Sequence, residues 1–80
     1  MRTPIIICDD SKFAQKQMAR ALPDWWDVGI TYTNNGEEGL NSLRESKGEI
    51  LFLDLTMPIL DGFQVLKSIA EEKISTKVIV

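Results

Sequence analysis

The sequence predicts an α/β fold in which helices wind around a parallel sheet. Short apolar runs that suit buried strands begin at residues 5, 28, 50 and 77, and helical patterns lie between them. The resulting spacings of 23, 22 and 27 residues are typical of βαβ units with right-handed crossovers. We therefore expect three complete units and a doubly wound parallel sheet.

The first unit opens on a continuous apolar run. Ile5 to Cys8 contains no polar side chain and is rich in β-branched residues, which is typical of a strand buried on both faces of a parallel sheet. The run stops at Asp9 and Asp10, and Ser11 is placed to cap the helix that follows. The predicted apolar stripe of that helix consists of Ala14, Met18, Ala21 and Leu22.

The second unit is shorter and its signals are weaker. Val28 to Thr33 alternates enough to predict a strand, and residues 34–36 predict a turn. Leu40 and Leu43 then mark a short helix that closes near residues 47–48. In the connection before this strand, Trp25-Trp26 is expected to cover the edge of the sheet.

The third unit repeats the pattern of the first. Ile50 to Leu53 is a second strand of the buried type and runs directly into Asp54. In the loop that follows, Pro58 and Gly62 are interpreted as residues that shape the backbone, and Asp61 as a helix cap. The predicted helix carries the apolar residues Phe63, Leu66, Ile69 and Ala70, and a fourth strand opens at residues 77–80.

Composition limits the classes of function. The chain has 80 residues, 44% of them apolar, and its nine basic and twelve acidic side chains give a net charge of −3. No basic cluster could neutralise several phosphates, so direct nucleic-acid binding is not expected. No apolar stretch approaches the roughly 18 residues of a spanning helix, so no membrane is expected and we predict a cytoplasmic location. The single cysteine, Cys8, is interpreted as a small core residue.

Three carboxylates mark the candidate site. Asp9 and Asp10 end the first strand, and Asp54 ends the third. In a doubly wound sheet with the first strand inside, these strand ends share one crevice, where ligands usually bind. Clustered carboxylates repel one another, and an all-oxygen ligand set suits Mg²⁺. Either acidic segment taken alone is more simply a helix cap or a turn, and only the joint pattern favours a metal site.

The motifs around these acids are those of a known family. The run Ile5 to Ser11, then Leu51 to Pro58, then Asp61 to Phe63, resembles the receiver domains of two-component response regulators at the spacing of that family. The Asp-Asp-Ser opening at residues 9–11 and the acceptor loop at residues 54–58 look most like those of the chemotaxis-type receivers. The resemblance implies a flavodoxin-like sheet with strand order 2-1-3-4-5 in a full domain. Residues 1–80 would then be a receiver domain that is incomplete at its C-terminus and truncated within the fourth strand.

The resemblance also implies roles for individual residues. Asp54 would be the phosphoacceptor in a phosphorelay, taking a phosphoryl group from a sensor histidine kinase or a phosphotransfer protein. Asp10, Asp54 and the backbone carbonyl of Thr56 would ligate Mg²⁺, and Asp9 would act mainly through water. The Thr56 side chain would tune dephosphorylation. A C-terminal effector domain or a downstream protein would read the signal, and the segment itself would not be an enzyme beyond its own phosphorylation chemistry.

Two alternatives stay open from the residues alone. One is a receiver-like module that binds partners without being phosphorylated. The other is a Mg²⁺-dependent phosphohydrolase with an aspartyl-phosphate intermediate, although Thr56 occupies the position where such enzymes carry a second acid. Receivers also use a Ser or Thr after the fourth strand and a Lys after the fifth, and neither falls within these 80 residues.

Overall fold

The computed structural model describes residues 2–45, 47–57 and 59–80. Strands and helices alternate along the chain as predicted. The elements are β1 (Thr3–Cys8), α1 (Lys12–Ala21), β2 (Val28–Thr33), α2 (Gly36–Arg44), β3 (Ile50–Leu53), α3 (Gly62–Glu72) and β4 (Lys77–Ile79). The loop-shaping role predicted for Pro58 lies outside the described residues.

The sheet confirms the predicted α/β topology. Its four strands lie in the order β2-β1-β3-β4 and every neighbouring pair is parallel, which is the flavodoxin-like order over these strands. In the register of the sheet, Cys8 of β1 lies beside Thr33 of β2 and Leu53 of β3. The central strands therefore end at the same level, and the residues that follow them meet at one edge of the sheet.

Apolar side chains are buried on both faces of the central strands. Ile5 and Ile7 face α1, whereas Ile6 and Cys8 face α2 and α3. The core on the second face also contains Leu40, Leu43, Leu51, Leu53, Met57 and Val65. Burial of each large aliphatic side chain contributes about 1.5–3 kcal/mol. The prediction that β1 is buried on both faces is confirmed, since Ile5 to Cys8 are each at most 2% exposed.

Side-chain caps begin each helix. The Ser11 hydroxyl accepts a hydrogen bond from the Ala14 N–H at 3.2 Å, as predicted. Asp61 caps α3, and Gln64 completes a reciprocal capping box by accepting from the Asp61 N–H at 2.9 Å. Where the sequence predicted only a turn, Asn35 is the N-cap of α2 and accepts from the Glu38 N–H.

The predicted apolar stripe of α1 is confirmed at Leu22, but its other residues are displaced by one position from the buried face. Met18 is 36% exposed and Ala21 is also exposed, whereas Gln15 is only 5% exposed. The face that packs on the sheet runs through Gln15, Ala19 and Leu22, which are spaced i, i+4 and i+7. An open groove of about 660 Å³ beside β1 and β3 is instead bordered by Ala14, Met18 and Ala21.

The prediction for α3 is confirmed in part, and the prediction for the tryptophan pair fails at one residue. Leu66 and Ile69 pack against the core as predicted, beside the buried Val65. Phe63 is 65% exposed and Ala70 is also exposed, so these two residues lie outside the inner face. Trp25 is 82% exposed and contacts Trp26 edge to face with ring centroids 6.2 Å apart. The expectation that this pair covers the sheet edge is therefore wrong for Trp25.

Candidate functional site

The fold brings the three predicted carboxylates together. Asp9, Asp10 and Asp54 each offer one oxygen, and these oxygens all lie within 4.8 Å of one another. They meet because β1 and β3 are adjacent and in register, and the Asp54 N–H donates to the Cys8 carbonyl at 3.0 Å. This geometry confirms the predicted grouping of the carboxylates.

Two of the carboxylates are oriented by the backbone that follows them. The Ser11 N–H donates to Asp9 Oδ1 at 2.9 Å, and the Thr56 N–H donates to Asp54 Oδ1 at 3.1 Å. Each bond spans two residues, so each aspartate folds over its own loop in an Asx turn. Both side chains are half-buried, whereas Asp10 is exposed. One oxygen of Asp9 and one of Asp54 are thereby fixed at the crevice.

Mutual repulsion makes the crevice a favourable place for a cation. Burial raises the pKa of Asp9 above its ordinary value, the hydrogen bond from Ser11 opposes this shift, and the charges of Asp54 and Asp10 raise the pKa further. A divalent cation would remove this repulsion. Because carboxylate oxygens that stay open to solvent are the ligands that Mg²⁺ prefers, the residues present fit Mg²⁺.

The loop from β3 to α3 is packed closely against the backbone of the site. The Gly62 N–H donates to the Leu55 carbonyl at 3.2 Å, and a Cβ at position 62 would lie 2.6 Å from the Asp54 carbonyl oxygen. The sequence predicted that Gly62 opens a helix but missed this close approach. Ile59 and Leu60 have φ angles of 54° and 51°, an uncommon left-handed conformation for side chains of their size.

Gln15 contacts the backbone beside the carboxylates, and the sequence reasoning missed it. Its buried side-chain amide lies within hydrogen-bond distance of the Asp9 carbonyl, 2.7 Å away, and of the Thr33 carbonyl, 3.0 Å away. Its position on the inner face of α1, four residues before Ala19 and seven before Leu22, was the available signal. A polar residue on an otherwise apolar helix face normally has a specific partner.

Cys8 lies directly behind the carboxylates and is a core residue, as predicted. It is 1% exposed, and its thiol donates to the Asn35 carbonyl at 3.3 Å. Burial raises the pKa of the thiol above its ordinary value of 9.0, and the nearby charges of Asp9, Glu38 and Asp54 add to the shift. Below pH 9 the residue is therefore a buried, neutral thiol.

We expect Cys8 to resist alkylation in the folded protein. At pH 8 iodoacetamide should label it at least tenfold more slowly than in urea, because only the exposed thiolate reacts. Intact mass spectrometry over time measures the rate of alkylation. Because the folded state favours the protonated thiol, the raised pKa also contributes to the free energy of unfolding. That contribution is present below pH 9 and is lost as the pH rises through the raised pKa. Equal rates with and without urea would contradict the prediction.

Comparison with known proteins decides the family. A family model described as the response regulator receiver domain matches residues 5–80, nearly the whole chain. The chain belongs to the response regulator receiver family. The family predicted from the acidic motifs and the acceptor loop is thus confirmed.

Curated relatives of this receiver domain are considerably longer proteins. It is 31% identical over 84% of its length to a protein-glutamate methylesterase/protein-glutamine glutaminase of Geobacter sulfurreducens, of which it spans 18%. It is 37% identical over 84% of its length to a protein of the same name from Methanosarcina mazei, again spanning 18%. It is also 35% identical over 94% of its length to the positive alginate biosynthesis regulatory protein of Pseudomonas aeruginosa, of which it spans 31%.

A solved structure confirms the fold independently. The CheY-like receiver domain protein from Methanospirillum hungatei superposes on 92% of this chain with a TM-score of 0.75 at 20% identity, and the match covers 58% of that structure. Within the described ranges, no helix of the receiver domain is long and apolar enough to cross a membrane. The family establishes a signalling module of two-component systems.

Proposed function

We propose that this receiver domain is a phosphoacceptor switch in which Asp54 carries the phosphoryl group. The observation that supports the proposal most strongly is the meeting of three carboxylate oxygens within 4.8 Å at the ends of β1 and β3. Asp9, Asp10 and Asp54, with the backbone carbonyl of Thr56, would hold Mg²⁺, and Asp9 would act mainly through water. Bound Mg²⁺ neutralises charge on the phosphoryl oxygens.

The proposed reaction transfers a phosphoryl group between two side chains. The Asp54 carboxylate attacks phosphorus, a bond forms between its oxygen and phosphorus, and the bond from phosphorus to a phosphohistidine nitrogen breaks. The nitrogen keeps the electron pair, and the product is an acyl phosphate. Because Asp54 Oδ1 already accepts the Thr56 N–H, we assign the attack to the other carboxylate oxygen.

Thr56 is proposed to control how long the acyl phosphate lasts. It follows Asp54 by two residues and is exposed. Water has to reach the phosphorus atom for hydrolysis, so the size and polarity of this side chain would set the rate of dephosphorylation. Its backbone N–H keeps the loop folded over Asp54 at the same time.

The proposal includes the partners of the domain. The phosphoryl donor would be a sensor histidine kinase or a phosphotransfer protein, and a C-terminal effector domain or a separate downstream protein would respond. The free thiol of Cys8 is compatible with a reducing compartment, and we place the reaction in the cytoplasm. Beyond its own phosphorylation and dephosphorylation, the domain is proposed to turn over no substrate.

The test is labelling with acetyl phosphate followed by intact mass spectrometry. We expect a single phosphoryl adduct that requires Mg²⁺, disappears when EDTA is added first, and is removed by hydroxylamine because it is an acyl phosphate. Absence of any adduct in the full-length protein would instead support a receiver-like module that binds partners without phosphate. Continuous release of phosphate from small phosphate esters would support the phosphohydrolase alternative.

A further inference from the structure

Gln15 makes an unusual set of contacts for a buried side chain. It is 5% exposed, and its Nε2 lies 2.7 Å from the Asp9 carbonyl oxygen, 3.0 Å from the Thr33 carbonyl oxygen and 3.1 Å from Asn34 Oδ1. An amide nitrogen has two hydrogens for these three acceptors, so at least one is shared. All three acceptors lie where β1 and β2 end.

The bond to the Asp9 carbonyl acts directly on the acidic loop. That carbonyl belongs to the peptide group that joins Asp9 to Asp10, and its orientation fixes how the two consecutive carboxylates leave the end of β1. The Asp9 N–H is held in turn by the Thr33 carbonyl at 3.1 Å. Gln15 therefore binds the acidic loop and the neighbouring strand end with one rigid, buried group.

The third acceptor extends the network to the start of α2. The Asn34 N–H donates to Glu38 Oε1 at 3.0 Å, and the Glu38 N–H donates to Asn35 Oδ1 at 2.9 Å. The loop after β1 and the loop after β2 are thus linked through Gln15.

We propose that Gln15 is a positioning residue for the metal site, since its amide holds the peptide between Asp9 and Asp10 in the orientation that lets both carboxylates face Asp54. The inference rests on the proposed function, because it concerns how the same three carboxylates bind Mg²⁺. Residues that orient metal ligands typically change metal affinity or activity by about 10- to 100-fold when they are replaced.

The experiment compares Mg²⁺ dissociation constants measured by calorimetric titration. Gln15→Met keeps the length of the side chain and removes both N–H donors, and we expect it to weaken Mg²⁺ binding by about tenfold or more. Gln17→Met makes the same chemical change at an exposed position of α1. Ile6→Val lowers stability through the core. Both controls should bind Mg²⁺ within about twofold of the unaltered protein.

An NMR measurement separates positioning from a general loss of structure. The Asp10 N–H belongs to the peptide whose carbonyl accepts from Gln15, so its amide nitrogen shift should change in Gln15→Met and stay unchanged in Ile6→Val. If Gln15→Met fails to fold, Gln15→Asn is the second variant, because it keeps the polar amide on a side chain one carbon shorter and so withdraws the N–H donors from the Asp9 carbonyl. It should weaken Mg²⁺ binding by at least about threefold, the effect of one net hydrogen bond.

The outcomes distinguish the two proposals. If the unaltered protein binds no Mg²⁺, the proposed metal site fails and the role of Gln15 fails with it. If it binds Mg²⁺ and folded Gln15→Met binds equally tightly, only the positioning role is overturned. Unchanged affinity and an unchanged Asp10 amide shift in Gln15→Asn overturn the role as well when Gln15→Met does not fold.

Discussion

Asp54→Asn protein is expected to fold normally and to gain no phosphoryl group from acetyl phosphate and Mg²⁺. The substitution keeps the shape of the side chain, and its amide oxygen can still accept the Thr56 N–H that now lies 3.1 Å from Asp54 Oδ1. The amide is not nucleophilic, so the chemical step should be lost entirely. Intact mass spectrometry should show less than a few per cent of the adduct found in the unaltered protein.

Asp61→Asn is the matched control for this loss. Asp61 caps α3 in the same loop by accepting from the Gln64 N–H at 3.0 Å, and Asn caps helices about as well as Asp. This variant changes one carboxylate to an amide near the site and should still be labelled. If Asp54→Asn gave as much adduct as the unaltered protein, another residue would be the acceptor, and peptide mapping would identify it.

Asp10→Asn is expected to weaken Mg²⁺ binding and to stabilise the metal-free protein. Asp10 is exposed, and its carboxylate lies within 4.8 Å of those of Asp9 and Asp54. Two unit charges about 4 Å apart interact with an energy of about 1 kcal/mol in water and about 4 kcal/mol near a protein surface. Affinity should therefore fall by roughly tenfold or more, since 1.4 kcal/mol corresponds to a tenfold change in binding.

The opposite sign of the stability effect makes the prediction specific. Without metal, removal of one of three repelling charges should raise the free energy of unfolding by up to about 1 kcal/mol at low salt. With excess Mg²⁺ the unaltered protein gains more from binding, so the order of the two melting temperatures should reverse. Thermal unfolding of the two proteins, once with EDTA and once with Mg²⁺, measures their melting temperatures under both conditions. Asp24→Asn, an exposed acid in the connection before β2, should show no reversal.

Much of the fold could be predicted because its signals are local. The continuous apolar runs of β1 and β3 predict burial on both faces, and the structure confirms it, since Ile5, Ile6 and Leu51 are 0% exposed. The caps at Ser11 and Asp61 were predicted for the same reason, because a capping side chain bonds a backbone group three residues away. Such contacts do not depend on which element packs against which.

The inner faces of the helices could not be predicted as reliably. A helix rotates by about 100° per residue, so two neighbouring faces of one helix can be about equally apolar. The sequence alone then does not show which face is buried. On α1 the structure selects Gln15, Ala19 and Leu22, of which only Leu22 was in the predicted stripe. On α3 the predicted Leu66 and Ile69 do pack against the core, whereas the predicted Phe63 is exposed. Which face of each helix is buried depends on the backbone it packs against. The Gln15 amide reaches the Asp9 carbonyl, and Gly62 lies so close to the Asp54 carbonyl that a Cβ would not fit.

The sequence alone determined the order of the elements, the family, and the identity of the three acids that follow β1 and β3. Only the tertiary structure decided that the oxygens of Asp9, Asp10 and Asp54 come within 4.8 Å, because that depends on β1 and β3 being neighbours in register. It also decided that Gln15 reaches the Asp9 carbonyl. Contacts between distant segments arise from packing, which no local run of residues specifies.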